Sequence, residues 1–224
     1  MKIIYFDIDE TLITADNRLK YLSQFQMLKT TPCRSLFNKR QFHFLHYQLH
    51  RAFFEEFNDK NPPNAMLCLA TNATYPKDDM LHFFAQCFPA AAHFFYTKMM
   101  YLYLYSFSSD EDSAFTIMNH CFHDTTFPRE QLLLPFDSIT KTARILQHSQ
   151  IARAECKEEE VELYLIDDNV NTLKAAYDKK IVCLKSSIEN YEENLIEIGN
   201  RIGLDVKERI LKNSLESTDS ANPS

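Results

Sequence analysis

Two short acidic runs in this sequence hold residues that could share one site. The first is Asp7-Ile8-Asp9-Glu10-Thr11-Leu12, directly after the apolar run Lys2–Phe6. The second is Asp167-Asp168-Asn169, directly after the apolar run 161–166. An aspartate leaving a buried strand is costly unless it is paired, hydrogen-bonded or bound to a metal. Carboxylates two residues apart at a strand end can converge. Asp167 and Asp168, with Asp7, make a hard, oxygen-rich set that suits Mg²⁺. The second run also has a plainer use, because Asp168 or Asn169 could cap the helix that follows. Thr71, in Leu-Ala-Thr-Asn-Ala-Thr over 69–74, offers a hydroxyl at a strand end, with Asn72 beside it. Such a hydroxyl, with nearby backbone N–H groups, can bind a phosphate oxygen. Lys141, in Ser-Ile-Thr-Lys-Thr over 138–142, opens a helix, from where it can reach a phosphate and offset crowded negative charge. Lys98, after an aromatic run, competes for that role.

These residues need a scaffold. The runs 2–6, 65–70, 161–166 and 181–184 are short, apolar and followed by turn or acidic residues, the pattern of buried strands. An aromatic stretch over 93–107 is strand-like. Helical spacing marks 17–60, stopped by Pro62 and Pro63, then 76–88, 140–150, 169–179 and 188–213. Strands alternating with helices imply an α/β fold with a parallel sheet covered on both faces. Chemistry in such sheets sits beyond the carboxyl ends of the strands, which is where Asp7, Thr71 and Asp167 fall.

The bulk composition narrows the choices. The chain has 224 residues, enough for one domain with modest insertions. It holds only two glycines, so no glycine-rich phosphate loop exists and phosphate must be held otherwise. A net charge of −7 disfavours nucleic acid as a partner. It leaves room for a phosphorylated substrate, since a bound cation can reverse the local sign. No run is long enough for a membrane span. The six cysteines form no CxxC pair, and Cys68 and Cys183 lie in apolar runs. They read as reduced core residues of a cytoplasmic protein. The end, 214–224, is polar and expected to be disordered.

The order of the motifs, Asp-x-Asp-x-Thr, then Thr, then Lys, then Asp-Asp, resembles the haloacid dehalogenase superfamily. Bacterial response-regulator receivers use similar residues, but their acidic pair comes first. Asp-Glu-Thr-Leu over 9–12 is also similar to the C-terminal-domain protein phosphatases. The resemblance covers about residues 1–185 and implies a Rossmann-like parallel sheet sandwiched by helices. It implies that Asp7 attacks phosphorus to form an aspartyl-phosphate and that Asp9 acts as general acid and base. It implies Mg²⁺ held by Asp7, the Asp9 backbone carbonyl, Asp168 and Asp167. Thr71, Asn72 and Lys141 would hold the phosphoryl group, and Thr11 would support the loop. The second acid, Asp9, favours a phosphatase over a dehalogenase. The glycines common beside the first and fourth motifs are missing here, which bears on loop geometry more than on chemistry.

The implied protein is one domain over 1–213. The interval 17–60 offers a small helical cap and 98–137 an insertion, and neither holds a large cap. A lightly capped site suits a phosphoprotein, though small caps also serve phosphorylated metabolites. The alternatives are a catalytically weak binding or scaffold protein of the same fold, or a secreted bacterial effector using the tail. Intact Asp7, Asp9, Asp167 and Asp168 argue against the first. His43, His46 and His50 are expected on a solvated helix flank beside Phe42, Leu45, Leu49 and Phe53. His120, Cys121, His123 and Asp124 fit no standard zinc spacing.

Overall fold

Residues Ile3 to Phe6 are all fully buried, because a strand at the centre of a parallel sheet has no solvent face. The computed structural model describes residues 1–15, 32–34, 41–71, 77–103, 141–156 and 160–219. In chain order these form β1 (Lys2–Phe6), β2 (Ile13–Ala15), β3 (Pro32–Arg34), β4 (Gln41–Phe44), α1 (Tyr47–Lys60), β5 (Ala65–Thr71), α2 (Lys77–Cys87), α3 (Ala92–Thr97) and β6 (Met100–Tyr103). There follow α4 (Lys141–Cys156), β7 (Glu162–Asp167), α5 (Val170–Tyr177), β8 (Val182–Lys185), α6 (Tyr191–Arg201) and α7 (Val206–Asp219).

The main sheet has the order β6-β5-β1-β7-β8, and every pairing is parallel. The architecture is α/β with a five-stranded parallel sheet between helices, compatible with a Rossmann-like fold. Alternate residues feed opposite faces, as the period of a strand requires. Ile4, Phe6, Leu67, Leu69, Tyr164 and Ile166 enter one core, against α1, α2, α3, α6 and α7. Ile3, Tyr5, Cys68, Ala70 and Leu165 enter the other, against α4 and α5. The chain steps outward from β1 to β5 to β6, then returns across the sheet to β7 and β8. Direction and face reverse together at that return, so the crossovers keep one hand. The carboxyl ends of β1 and β7, where the order reverses, are the place at which folds of this kind hold ligands.

Several elements depart from the sequence expectations. Only Tyr47–Lys60 of the interval 17–60 is helical among the described residues. β3 and β4 are strands of a small antiparallel sheet, order β2-β4-β3. Phe42, Leu45, Leu49 and Phe53 do recur at helical spacing, but Phe42 and Phe44 alternate and both turn inward. Phe44 stacks on Phe83 at 5.6 Å between centroids. The helix starts only after His46, whose φ of 47° separates it from β4. α1 covers the main sheet, with Phe53 and Phe54 packed edge-on against Phe6. The aromatic stretch 93–107 begins as helix α3, not strand, and turns extended only at β6. The expected helix over 188–213 is two helices. Gly203 breaks it with a φ of 84°, and Gly199 lets α7 approach so closely that a Cβ there would stand 2.7 Å from Val206. α7 also carries helix into the polar end as far as Asp219.

His43, His46 and His50 share no solvated flank. His43 lies on β4, His46 precedes α1, and His50 is fully buried. His50 Nδ1–H donates to the Leu45 carbonyl at 2.8 Å, and Nε2 accepts from the Tyr191 hydroxyl at 2.7 Å. Burial holds His50 down to about 3, and it holds His148, on the other face of the sheet, down to about 4. Both folded values lie below the unfolded value of about 6.5. The unfolded chain therefore binds more protons below pH 6.5, and this stability, full above that pH, is lost as the pH falls toward 4. Replacing His148 by asparagine should flatten the slope of stability against pH by about 1 kcal/mol per unit over that window. Melting curves of both proteins from pH 7 to 4.5 check this, since the difference cancels the other titrating groups. Parallel slopes would contradict it.

Candidate functional site

Asp7 extends β1, its N–H donating to the Ile166 carbonyl at 2.9 Å. Asp167 is the last residue of β7, and Asp168 follows it. β1 and β7 are neighbours, so parallel register brings both acidic runs to one end of the sheet. Lys141, the first residue of α4, places Nζ 2.5 Å from Asp7 Oδ1 and 2.7 Å from Asp167 Oδ2. All three side chains are buried. Carboxylate oxygens of Asp7, Asp167 and Asp168 lie within 4.8 Å of one another.

Asn169 settles how α5 begins. Its side chain accepts from the N–H groups of Asn171 and Thr172 at 2.9 and 3.2 Å, while its own N–H donates to Asp167 Oδ1 at 2.8 Å. The cap is therefore Asn169, and neither aspartate is spent on it. Thr71, fully buried, ends β5 at the same edge as Asp7. Thr11 Oγ1 lies 3.5 Å from Asp7 Oδ2. Lys98 is elsewhere. It precedes β6, at the amino edge of the sheet, and donates to Asn61 Oδ1 at 2.7 Å. Lys141 is thus the lysine that reaches the acids. Asn72, the cluster His120, Cys121, His123 and Asp124, and most of the interval 98–137 lie outside the described residues.

The electrostatics show how crowded the site is. Burial most strongly raises the Asp7 carboxyl, Lys141 pulls it back, and Asp167 and Asp9 push it up again, leaving it at about 8. Burial, then Asp167 and Glu10, raise Asp168 to about 6. Burial alone would lower Lys141, but Asp7 and Asp167 more than offset that and hold its ammonium above the usual lysine range. Among the described residues, Asp7, Asp9, Asp167 and Asp168 thus stand against the Lys141 ammonium. Three of them offer hard oxygen donors within reach of one point, the donor chemistry of a divalent cation such as Mg²⁺. Such an ion and Lys141 could together neutralise most of the cluster and admit an anion.

Ser186 belongs to the site and was not among the sequence candidates. It is the first residue past β8, buried, with Oγ 3.4 Å from Thr11 Oγ1. Its signal was its position, since it follows a strand at the chemically used edge as Asp7 and Asp168 do. Among the described residues no helix is long and apolar enough to cross a membrane. Compared with protein-family models, curated proteins and solved structures, the chain finds no match.

Proposed function

We propose that this chain is a Mg²⁺-dependent phosphatase of the haloacid dehalogenase type, with Asp7 as its nucleophile. The observation that supports it most is Lys141 Nζ lying between Asp7 and Asp167 at 2.5 and 2.7 Å, at the carboxyl edge of the sheet where the strand order reverses. A lysine so placed can keep the nucleophile charged and meet a phosphoryl oxygen. Asp7, Asp167 and Asp168, with the Asp9 backbone carbonyl, would hold the metal. Bound there, Mg²⁺ would neutralise charge on the phosphoryl group and help keep Asp7 ionised.

The residues then have these roles. An Asp7 carboxylate oxygen bonds to phosphorus as the bond to the leaving oxygen breaks. Protonated Asp9 gives its proton to that oxygen, and the product alcohol departs. Asp9, now a carboxylate, takes a proton from water as the water oxygen bonds to phosphorus. Inorganic phosphate leaves and Asp7 is restored. Lys141, Thr71 and Asn72 hold the non-reacting phosphoryl oxygens throughout. The substrate is a phosphomonoester, on a protein or on a small metabolite. p-Nitrophenyl phosphate, with and without Mg²⁺, tests the proposal. Wild type should turn over only with Mg²⁺, and Asp7→Asn should lose at least about 10³-fold in kcat. Turnover that survives Asp7→Asn would sink it.

A further inference from the structure

We infer that Ser186 is a positioning residue for the reaction proposed at Asp7, an inference that rests on that proposal. Ser186 is only 1% exposed. Its N–H donates to the Asp167 carbonyl at 3.1 Å. Its hydroxyl donates to the Glu10 carbonyl at 3.3 Å, the only direction open between those two groups. One residue after an outer strand thus grips both acid-bearing strand ends.

Glu10 shows why a grip is needed. Its φ of 58° is left-handed, which costs a non-glycine residue about 1–2 kcal/mol. The turn is held by the Ser186 hydroxyl on the Glu10 carbonyl and by the Glu10 N–H on the Ile13 carbonyl at 2.7 Å. It brings Thr11 back toward Asp7. Thr11 Oγ1 lies 3.5 Å from Asp7 Oδ2 and 3.4 Å from Ser186 Oγ. The Ser186 proton is committed to Glu10, so its oxygen is left as an acceptor. Thr11 has one proton and two acceptors. It serves Asp7 while that carboxylate is charged, and it turns to Ser186 once Asp7 carries the phosphoryl group and accepts less well. The buried Thr11 hydroxyl keeps a partner in both states.

The test is kcat and KM for p-nitrophenyl phosphate at saturating Mg²⁺, with melting curves to set the folded fraction. Ser186→Ala, Ser186→Cys, Thr11→Val and the double variant Thr11→Val with Ser186→Ala are compared with wild type. Ser186→Ala should lower kcat about 10- to 100-fold with KM within about twofold. The double variant should lose no more than the worse single, because both act through one chain of hydroxyls. Ser186→Cys, close in size with a weaker donor, should fall between, and it carries the test if Ser186→Ala does not fold. Losses that multiply, or an unchanged kcat per folded molecule, would overturn the inference and leave the proposed function standing. Wild type without Mg²⁺-dependent turnover would remove both.

Discussion

Replacing Lys141 by methionine is expected to lower stability by about 3–5 kcal/mol, and turnover should vanish with it. The magnitude follows from what remains behind. Asp7 and Asp167 are 6% and 1% exposed, and among the described residues Lys141 is the cation their side chains touch. Breaking a buried pair leaves its acidic partners without a counter-charge in a poor solvent, whether they stay charged or take up a proton, and that penalty is larger than the net value of the pair. For a chain of this size the melting temperature should fall by about 10 °C. The loss should also carry a pH signature. Burial raises Asp7 and Lys141 lowers it, so removing the lysine lifts the folded value further above about 8. A raised carboxyl penalises folding above its unfolded value, and the penalty disappears as protons return. Wild type and Lys141→Met should therefore run parallel from about pH 5 to 8, and the loss should widen from about pH 8 toward 9.5, where the wild-type carboxyl ionises and the variant's does not. Melting curves across that range decide it. A loss under about 1 kcal/mol, or one indifferent to pH, would mean that Lys141 is not the counter-charge of this cluster.

Asp168→Asn should move stability two ways in one protein. Burial and the neighbouring Asp167 and Glu10 raise this carboxyl to about 6, so above its unfolded value the charged form weighs against folding. At pH 8 the neutral variant should be more stable without metal by about 1–2 kcal/mol, a figure reduced for the half-exposed position. The same change removes a metal oxygen. Wild type at Mg²⁺ about a hundredfold above its dissociation constant should gain about 2.7 kcal/mol, and the variant should gain almost none. Stability and function would then oppose each other at one carboxylate, as expected of a site built to hold excess charge. Melting with and without Mg²⁺ measures both effects. A variant that melts lower without metal, or keeps the full Mg²⁺ shift, would contradict the assignment.

The sequence disclosed the acidic runs well because their context is simple. Ile3 to Phe6 and Tyr164 to Ile166 are buried on both faces, so their apolar runs are unbroken until the aspartates appear. Lys141 was legible only through motif order, and Lys98 stayed a competitor until the sheet put the two at opposite edges. The small antiparallel sheet was not legible. Around Phe42 two periodicities overlap, and the left-handed turn at His46 that chooses between them carries no glycine to announce it. The break between α6 and α7 did carry one, Gly203, inside a run that otherwise reads as a single helix. Pro62 and Pro63 marked the end of α1 correctly, with Asn61 taking the left-handed position just before them. His50 misled because a histidine near helical apolar residues looks solvated, and its partners Leu45 and Tyr191 come together only in the fold. Ser186 was missed because an isolated serine has no motif, and its contacts reach back to Glu10 and Thr11 at the other end of the chain.

The most direct test of the central claim asks which atom carries the phosphoryl group. The protein is mixed with p-nitrophenyl phosphate and Mg²⁺, quenched in acid, reduced with borohydride and digested for mass spectrometry. An aspartyl-phosphate is a mixed anhydride, and borohydride reduces it to the alcohol, which converts that aspartate to homoserine. Homoserine at position 7, absent without Mg²⁺ and absent from Asp7→Asn, is the expected result. Turnover with no reduction product at position 7, or with the product at another carboxylate, would contradict it.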